Sequence, residues 1–272
     1  MHLSGRLTKH HGLGNDFLVL IDQPGDADLA RRLCDRRRGI GADGLIVANT
    51  VPAGDADLSM ELYNADGSRA EMSGNGIRCL AQAEAMRRGT PAADLTIATD
   101  VGTRAVAVRP GAEPHTSDAS VDMGKILPGP ERDREVPPPP PDQALVAKRR
   151  ELALDVGNPH VVYLVDDVAT VVLEAEGPHY ERAYSHGINV EFIAPSEGRA
   201  DALDLRVWER GAGITEACGT GACAAAHAAN QWGQVGERVR VHMPGGDVDV
   251  ILGDTVTLVG PITFVAHIEL GG

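Results

Sequence analysis

Short apolar runs punctuated by turn residues dominate the chain, and two alanine-rich segments interrupt them. Residues 16–22, Asp-Phe-Leu-Val-Leu-Ile-Asp, predict a buried strand because the run is short, apolar and rich in β-formers. Residues 26–38 predict a helix capped by Asp26 and ending in Arg36-Arg37-Arg38 before Gly39. Acid first and base last suits the helix dipole. Leu45 to Ala48 and Leu58 to Tyr63 predict strands. Residues 74–88 predict a glycine-rich turn feeding a helix that Gly89 closes. Leu95 to Thr99 and Arg104 to Val108 predict a hairpin around Asp100-Val101-Gly102. Further strands are expected at 150–156, 161–165, 188–194 and 203–209. A glycine-rich segment at 211–221 then leads into a helix over 220–232. The segments 237–243 and 247–252 predict another hairpin, and 254–258 and 262–269 two last strands. Between the halves, residues 128–142 hold seven prolines, five of them consecutive at 137–141. Such a stretch fits neither a helix interior nor a central strand. It is read as an exposed polyproline loop, a surface insertion in preference to a PxxP ligand.

The pattern repeats. Ser73-Gly74-Asn75-Gly76 precedes the first alanine-rich helix, and Cys218-Gly219-Thr220-Gly221 precedes the second, 145 positions later. At that offset the strand ending near Asn64 falls on Glu209, and the hairpin near 95–108 falls on 240–253. A shared offset across strand, turn, helix and hairpin implies two similar halves. Helix N-termini present unpaired N–H groups and positive potential. Two of them facing one cleft would hold a carboxylate, and would lower the pKa of a cysteine placed there.

Composition narrows the function. Acids outnumber bases 39 to 25, for a formal charge of −14, which argues against nucleic acid or an anionic membrane as the main partner. Aromatics are only 3%, so base-stacking platforms are not expected. No apolar run approaches the roughly 20 residues of a membrane span, and the N-terminus lacks a signal-peptide core. Cys34, Cys79, Cys218 and Cys223 form no C-x-x-C motif and no disulfide framework, so a reducing, cytoplasmic setting is expected.

Several motifs have plain structural readings. Gly39-Ile-Gly41-Ala-Asp-Gly44 matches G-x-G-x-x-G, but a helix precedes it and a strand follows, the reverse of a dinucleotide site. It is read as a tight turn. His10-His11 has no third ligand at a recognisable spacing, and no metal is expected. Arg31, Arg32 and Arg36 to Arg38 are read as a solvated helix face and cap. Cys218 is the strongest candidate for chemistry: either a buried apolar cysteine or, between Gly219 and Gly221 at a helix start, a reactive thiolate. At about 100° per residue, Cys79 is rotated about 240° from Ser73 and Cys223 about 140° from Cys218. Both are therefore expected in the core. Glu209-Arg210 reads either as a surface ion pair or as a carboxylate for a substrate ammonium beside a guanidinium for its carboxylate. Asn158-Pro159-His160 is either a plain turn or an amide and an imidazole at a strand end.

Taken together, the segments His11-Gly-Leu-Gly-Asn-Asp16, Asn64-Ala-Asp-Gly-Ser68, Glu71-Met-Ser-Gly-Asn-Gly-Ile-Arg-Cys79, Gly157-Asn-Pro-His160 and Glu209-Arg-Gly followed by Ala217-Cys-Gly-Thr-Gly-Ala-Cys223 resemble the diaminopimelate epimerase family. The resemblance runs from about Lys9 to the C-terminus and is poorest in the proline-rich loop. It implies an α/β (α+β) fold of two pseudo-symmetric domains, each a mixed β-sheet wrapped around a central helix, with the active site in the cleft between them. The domains are expected over 1–118 plus 263–272 and over 119–262. It further implies interconversion of LL- and meso-diaminopimelate in bacterial lysine biosynthesis, without PLP, metal or other cofactor, in a cytoplasmic homodimer. One base removes the α-proton as thiolate and a second acid on the opposite face returns one. By motif, Asn15, Asn64, Asn158, Asn189, Glu209 and Arg210 would hold the substrate, with His160 lining the site. Gly74, Asn75, Gly219 and Thr220 would supply helix-start donors. The catalytic pair would be Cys218 and residue 73.

Residue 73 departs from the family: it is serine where the family has cysteine. A serine hydroxyl is far less acidic than a thiol and is a poor base unless another group activates it. Three readings follow. The serine is an engineered substitution that freezes the enzyme; or it is natural, with slow or water-relayed turnover; or the site keeps one base and performs a one-base reaction, as in amino-acid dehydratase or racemase relatives. A catalytically silent amino-acid binder and a phenazine-type isomerase complete the field.

Overall fold

The structure, a computed structural model, describes residues 5–52, 54–70, 72–137 and 145–271. The chain divides into two compact units, Met1–Asp122 with Val259–Gly272, and Met123–Leu258. In chain order the elements begin with β1 (Gly5–Gly12), β2 (Asn15–Ile21), α1 (Ala27–Cys34), β3 (Gly44–Thr50), β4 (Leu58–Asn64) and β5 (Arg69–Ala70). They continue with α2 (Gly74–Arg87), β6 (Ala93–Thr99), β7 (Gly102–Pro110) and β8 (Thr116–Gly124). Next come β9 (Leu127–Pro128), β10 (Arg150–Asp155), β11 (Pro159–Leu164), α3 (Leu173–Glu181), β12 (Asn189–Pro195), β13 (Ala202–Glu209) and β14 (Gly213–Thr215). The last are α4 (Gly219–Gln231), β15 (Arg238–Met243), β16 (Gly246–Ile251) and β17 (Val256–Leu270). A 3-10 turn, Val168–Thr170, precedes α3.

In the first unit the strands pair in the order β17-β1-β2-β3-β4-β6-β7-β8. β2 with β3 and β4 with β6 are parallel, and the other pairs are antiparallel. Helix α2 packs against β1, β2, β3, β6 and β7, so it is covered on all sides. Buried residues run unbroken from Gly74 to Ala85, with no exposed stripe, and even Asn75, Arg78, Gln82 and Glu84 are buried. The second unit repeats the plan as β10-β11-β12-β13-β15-β16, with β11–β12 and β13–β15 parallel. Its buried helix, α4, is lined with alanines that let the strands approach closely. Both are mixed α+β units, each a sheet around a central helix, as the family resemblance implies.

Several expectations are revised. The helix expected over 26–38 stops at Cys34, where Asp35 turns extended and its carboxylate accepts the Arg37 and Arg38 amides. The two strands expected at 254–258 and 262–269 are the single β17. The units divide at 122/123 and 258/259, where the sequence reading has 118 and 262. Each divide falls inside a continuous strand, β8 or β17, which carries no turn signal to mark it. Strands β1 and β8 and helix α3 lack sequence expectations altogether. Helix α3 contains Gly177-Pro178, a pair of helix breakers. Part of the proline stretch, 138–144, lies outside the described residues. The preceding part is exposed as expected but tied down: Leu127–Pro128 pairs with β10, and Arg132 donates to Glu151 and to the Tyr163 hydroxyl.

Gly177 is needed for packing. A Cβ there would stand 2.4 Å from Trp208 Cγ and 2.6 Å from its Cβ. Gly177→Ala, normally favourable in a helix, is therefore expected to destabilise the protein by about 1–3 kcal/mol. Thermal denaturation checks this, and an unchanged or raised Tm contradicts it. A second prediction concerns His10, which is wholly buried between Gln82 and Thr8. Burial lowers its pKa to about 4. The unfolded chain thus takes up this proton near pH 6.5 and the folded chain only near 4. Stability is complete above 6.5 and falls by up to about 3 kcal/mol as pH drops through that window. Denaturant titrations of the protein and of His10→Gln should show the slope shrinking in the variant.

Candidate functional site

Both buried helices begin the same way. Ser73 caps α2 in an extended conformation, and its Oγ accepts the Gly76 amide at 3.0 Å. Cys218 caps α4 in the same conformation, and its Sγ accepts the Gly221 amide at 3.4 Å. The first-turn amides of each helix lack partners within the helix, so both caps stand beside positive potential.

In the first unit, Asn15 lies beside the start of α2. Its Nδ2 donates to Asp43 at 2.9 Å, and its Oδ1 accepts from Asn75 Nδ2 at 3.2 Å. Asp43 is held in turn by Arg36, which also bonds Asp16 at 2.7 Å. Burial pushes the Asp16 carboxyl up, but hydrogen bonds from Arg36 and Lys9 outweigh it and hold the group below the usual range. Arg36 is exposed, as expected from sequence, but it is engaged by both carboxylates and is not a free surface charge. The turn at Gly39–Gly44 is confirmed as a turn, and Gly41 adopts φ +83 within it. Its use is to present Asp43, a residue that the motif reading passed over. Gly74 and Asn75 are buried in the first turn of α2. Asn64 is exposed at the end of β4 and donates to Ser68 at 3.0 Å.

In the second unit the sequence-derived residues form one connected group. His160 on β11 is wholly buried, with Nε2 2.8 Å from Asn158 Oδ1 and Nδ1 2.7 Å from Glu191 Oε1. Asn189 donates to the Pro159 carbonyl and accepts the Arg210 amide, both at 2.9 Å. Glu209, at the end of β13, accepts from the Thr215 hydroxyl and from the Cys218 thiol. Thr220, nearly buried, lies 3.5 Å from Cys218 Sγ. Gly219 and Thr220 open α4.

The electrostatics overturn one expectation. The helix start was expected to give Cys218 a lowered pKa, but its pKa is raised well above the ordinary value. Burial is the main cause, and the Glu209 and Glu191 carboxylates add to it. Cys218 is here a thiol, not a thiolate. Burial likewise raises Glu209 and Glu191. Cys79 and Cys223 are wholly buried, as the rotation argument predicts, and Cys79 is pushed up to about 12. Among the described residues, no three His, Cys, Asp or Glu side chains converge as a metal-binding group. Nor is any helix among them long and apolar enough to cross a membrane.

Glu191 is the residue that sequence reasoning missed, since it sits in the apolar run of β12 and shows no motif. It also explains a glycine. A Cβ on Gly221 would stand 2.8 Å from Glu191 Oε1 and 3.2 Å from Cys218 Sγ. At the matching place in the first helix, a Cβ on Gly76 would meet Ile46 Cδ1 at 3.5 Å and Ser73 Oγ at 3.3 Å.

The diaminopimelate epimerase family profile matches residues 7–127 and 152–264. The chain belongs to the diaminopimelate epimerase family. A diaminopimelate epimerase of Cyanothece sp. is 38% identical, over 95% of this chain and 97% of its own. One of Pelotomaculum thermopropionicum is 41% identical over 89% of each. Among solved structures, a predicted epimerase from Pseudomonas aeruginosa superposes with a TM-score of 0.73 at 15% identity, covering 98% of this chain and 99% of its own. A Bacillus anthracis phenazine biosynthesis protein gives 0.68 at 14% identity, covering 98% and 99%. These two likenesses show a shared fold. Family membership makes the chain one of a group of isomerases.

Gly221→Ala is expected to lose about 1–3 kcal/mol of stability, because Glu191 is wholly buried and tied to His160 and has nowhere to move. Gly76→Ala is expected to stay within about 1 kcal/mol, the helix-propensity gain offsetting mild crowding. Equal losses in paired denaturation curves would contradict this arrangement.

Proposed function

We propose that this chain acts on the α-carbon of diaminopimelate, with Cys218 as its effective acid and base. The observation that supports this best is a thiol capping a buried helix and hydrogen-bonded to a carboxylate. A bound substrate ammonium near Glu209 would offset the two carboxylates that hold Cys218 protonated. The thiol proton is released to solvent as the ammonium enters and pairs with Glu209, leaving a thiolate. That thiolate takes the α-proton, and the electron pair of the broken C–H bond spreads onto the substrate carboxylate. Preorganised helix-start amides stabilise that charge. Asn15, Asn64, Asn158, Asn189 and Arg210 are assigned to substrate binding with Glu209, and Gly74, Asn75, Gly219 and Thr220 to the donors.

Ser73 is assigned to the opposite face. Its hydroxyl is too weak an acid to return a proton at a useful rate unless activated. Full epimerisation in this chain is therefore slow, whereas exchange through Cys218 persists. Incubation of separate LL- and meso-diaminopimelate in D₂O should show deuterium entering one isomer faster than the isomers interconvert. Ser73→Cys is expected to raise interconversion by roughly 10²–10⁴-fold. The same change should cost up to about 1 kcal/mol of stability, because sulfur is the weaker cap. Rapid interconversion without that change would show that Ser73 supports the full reaction. No exchange of either isomer would leave a silent binder or another substrate.

A further inference from the structure

Glu191 carries no proton in the steps above, yet it is the most deeply buried acid beside Cys218, wholly enclosed where Glu209 is partly exposed. Its Oε2 is buried with no hydrogen-bond partner. An ionised carboxylate in such a place is costly unless something compensates it. The compensation is His160, whose Nδ1 lies 2.7 Å from Glu191 Oε1. On the far side of the ring, Nε2 lies 2.8 Å from Asn158 Oδ1. An amide oxygen only accepts, so Nε2 carries a proton. The Nδ1–Oε1 contact then contains one further proton, whichever of the two atoms holds it. The pair is thus neutral overall, although its carboxylate end still acts on Cys218 and helps to keep the thiol protonated. A further consequence reaches the substrate side: with Oδ1 engaged by Nε2–H, the two N–H donors of Asn158 point away from the ring.

The geometry points to Glu191 as a positioning residue, which keeps His160 Nε2 protonated so that the Asn158 amide presents its N–H donors to the substrate. This rests on the reading of Asn158 as a substrate-binding residue. The titratable groups that act on the ring are Glu191 on β12 and Glu209 on β13. Only Glu191 bonds it directly. In Glu191→Gln the side chain keeps its shape but satisfies either ring tautomer, because an amide both donates and accepts. The Nε2 proton is then no longer enforced and Asn158 is free to flip.

The experiment pairs kinetics with ¹⁵N NMR of the imidazole, the His160 signal being assigned by its loss in His160→Gln. In the unmutated protein Nε2 should carry a proton. In Glu191→Gln part of the signal should move to the unprotonated Nε2 of the other tautomer. The KM for diaminopimelate in the exchange assay should rise about tenfold, with the saturated exchange rate within about twofold of normal. An unchanged Nε2 signal in Glu191→Gln, a loss of rate with KM unchanged, or an unprotonated Nε2 in the unmutated protein overturns the inference. Absence of any exchange in the unmutated protein would sink the epimerase reading instead, and the NMR result alone would then decide the role of Glu191. Should Glu191→Gln not fold, the Nε2 signal of the unmutated protein decides.

Discussion

A helix buried on every side must find acceptors for its first-turn amides inside the protein, and this constraint organises both units. Neither α2 nor α4 has a solvated face on which water could do the work. Each is therefore capped by a small side chain in extended backbone, Ser73 or Cys218, turned back onto the amide three residues on. The same positive potential that needs a cap also suits a substrate carboxylate or a developing negative charge. Structural need and chemical opportunity coincide at the same two places in the chain. Only small residues such as Gly76 and Gly221 leave room for that arrangement.

The repeat preserves the scaffold and changes its lining. Gly14-Asn15 and Gly157-Asn158 match across the units, each glycine at a positive φ near +90. The parallel pairings then place Phe17 opposite Gly44 and His160 opposite Asn189. The antiparallel registers match Ile46 to Glu191 and Asn64 to Glu209. So the second cap is surrounded by an imidazole and two carboxylates, where the first has a phenyl ring, an isoleucine and an amide at the equivalent positions. The consequence shows at Cys218. Burial and those carboxylates keep it a thiol, against the pull of the helix dipole. A thiol of this kind is a proton donor by default and becomes a base only when a cation arrives.

Most of the fold could be read from hydrophobic runs and turn residues. Strands such as β2, β3, β12 and β13 announce themselves as short apolar segments, and the glycine-rich starts of α2 and α4 mark the repeat. What escaped was set by tertiary context. Helix α3 forms despite Gly177-Pro178 because Trp208 lies against that glycine. Glu191 sits in an apolar strand and acquires meaning only through His160, some 30 residues away in sequence. Arg36 is surface charge, as read, but nothing local shows that Asp16 and Asp43 converge on it. The helix-start rule for cysteine acidity pointed the wrong way for a related reason. It describes an exposed helix end, and this one is enclosed with two acids.

Ser73 can be placed on the same physical scale. An oxygen at 3.0 Å satisfies a buried amide better than a sulfur at 3.4 Å, so serine is the stronger cap of the two. Its hydroxyl, however, gives up a proton far less readily than a thiol. One atom thus shifts the first unit toward stability and away from proton transfer. Nothing beside it at the equivalent positions of the first unit, Phe17, Ile46 or Asn64, carries a titratable group that could compensate. On the proposed reading, the acid–base work accordingly falls to the second unit, where the cap stands beside its hydrogen-bonded carboxylate and the His160–Glu191 pair.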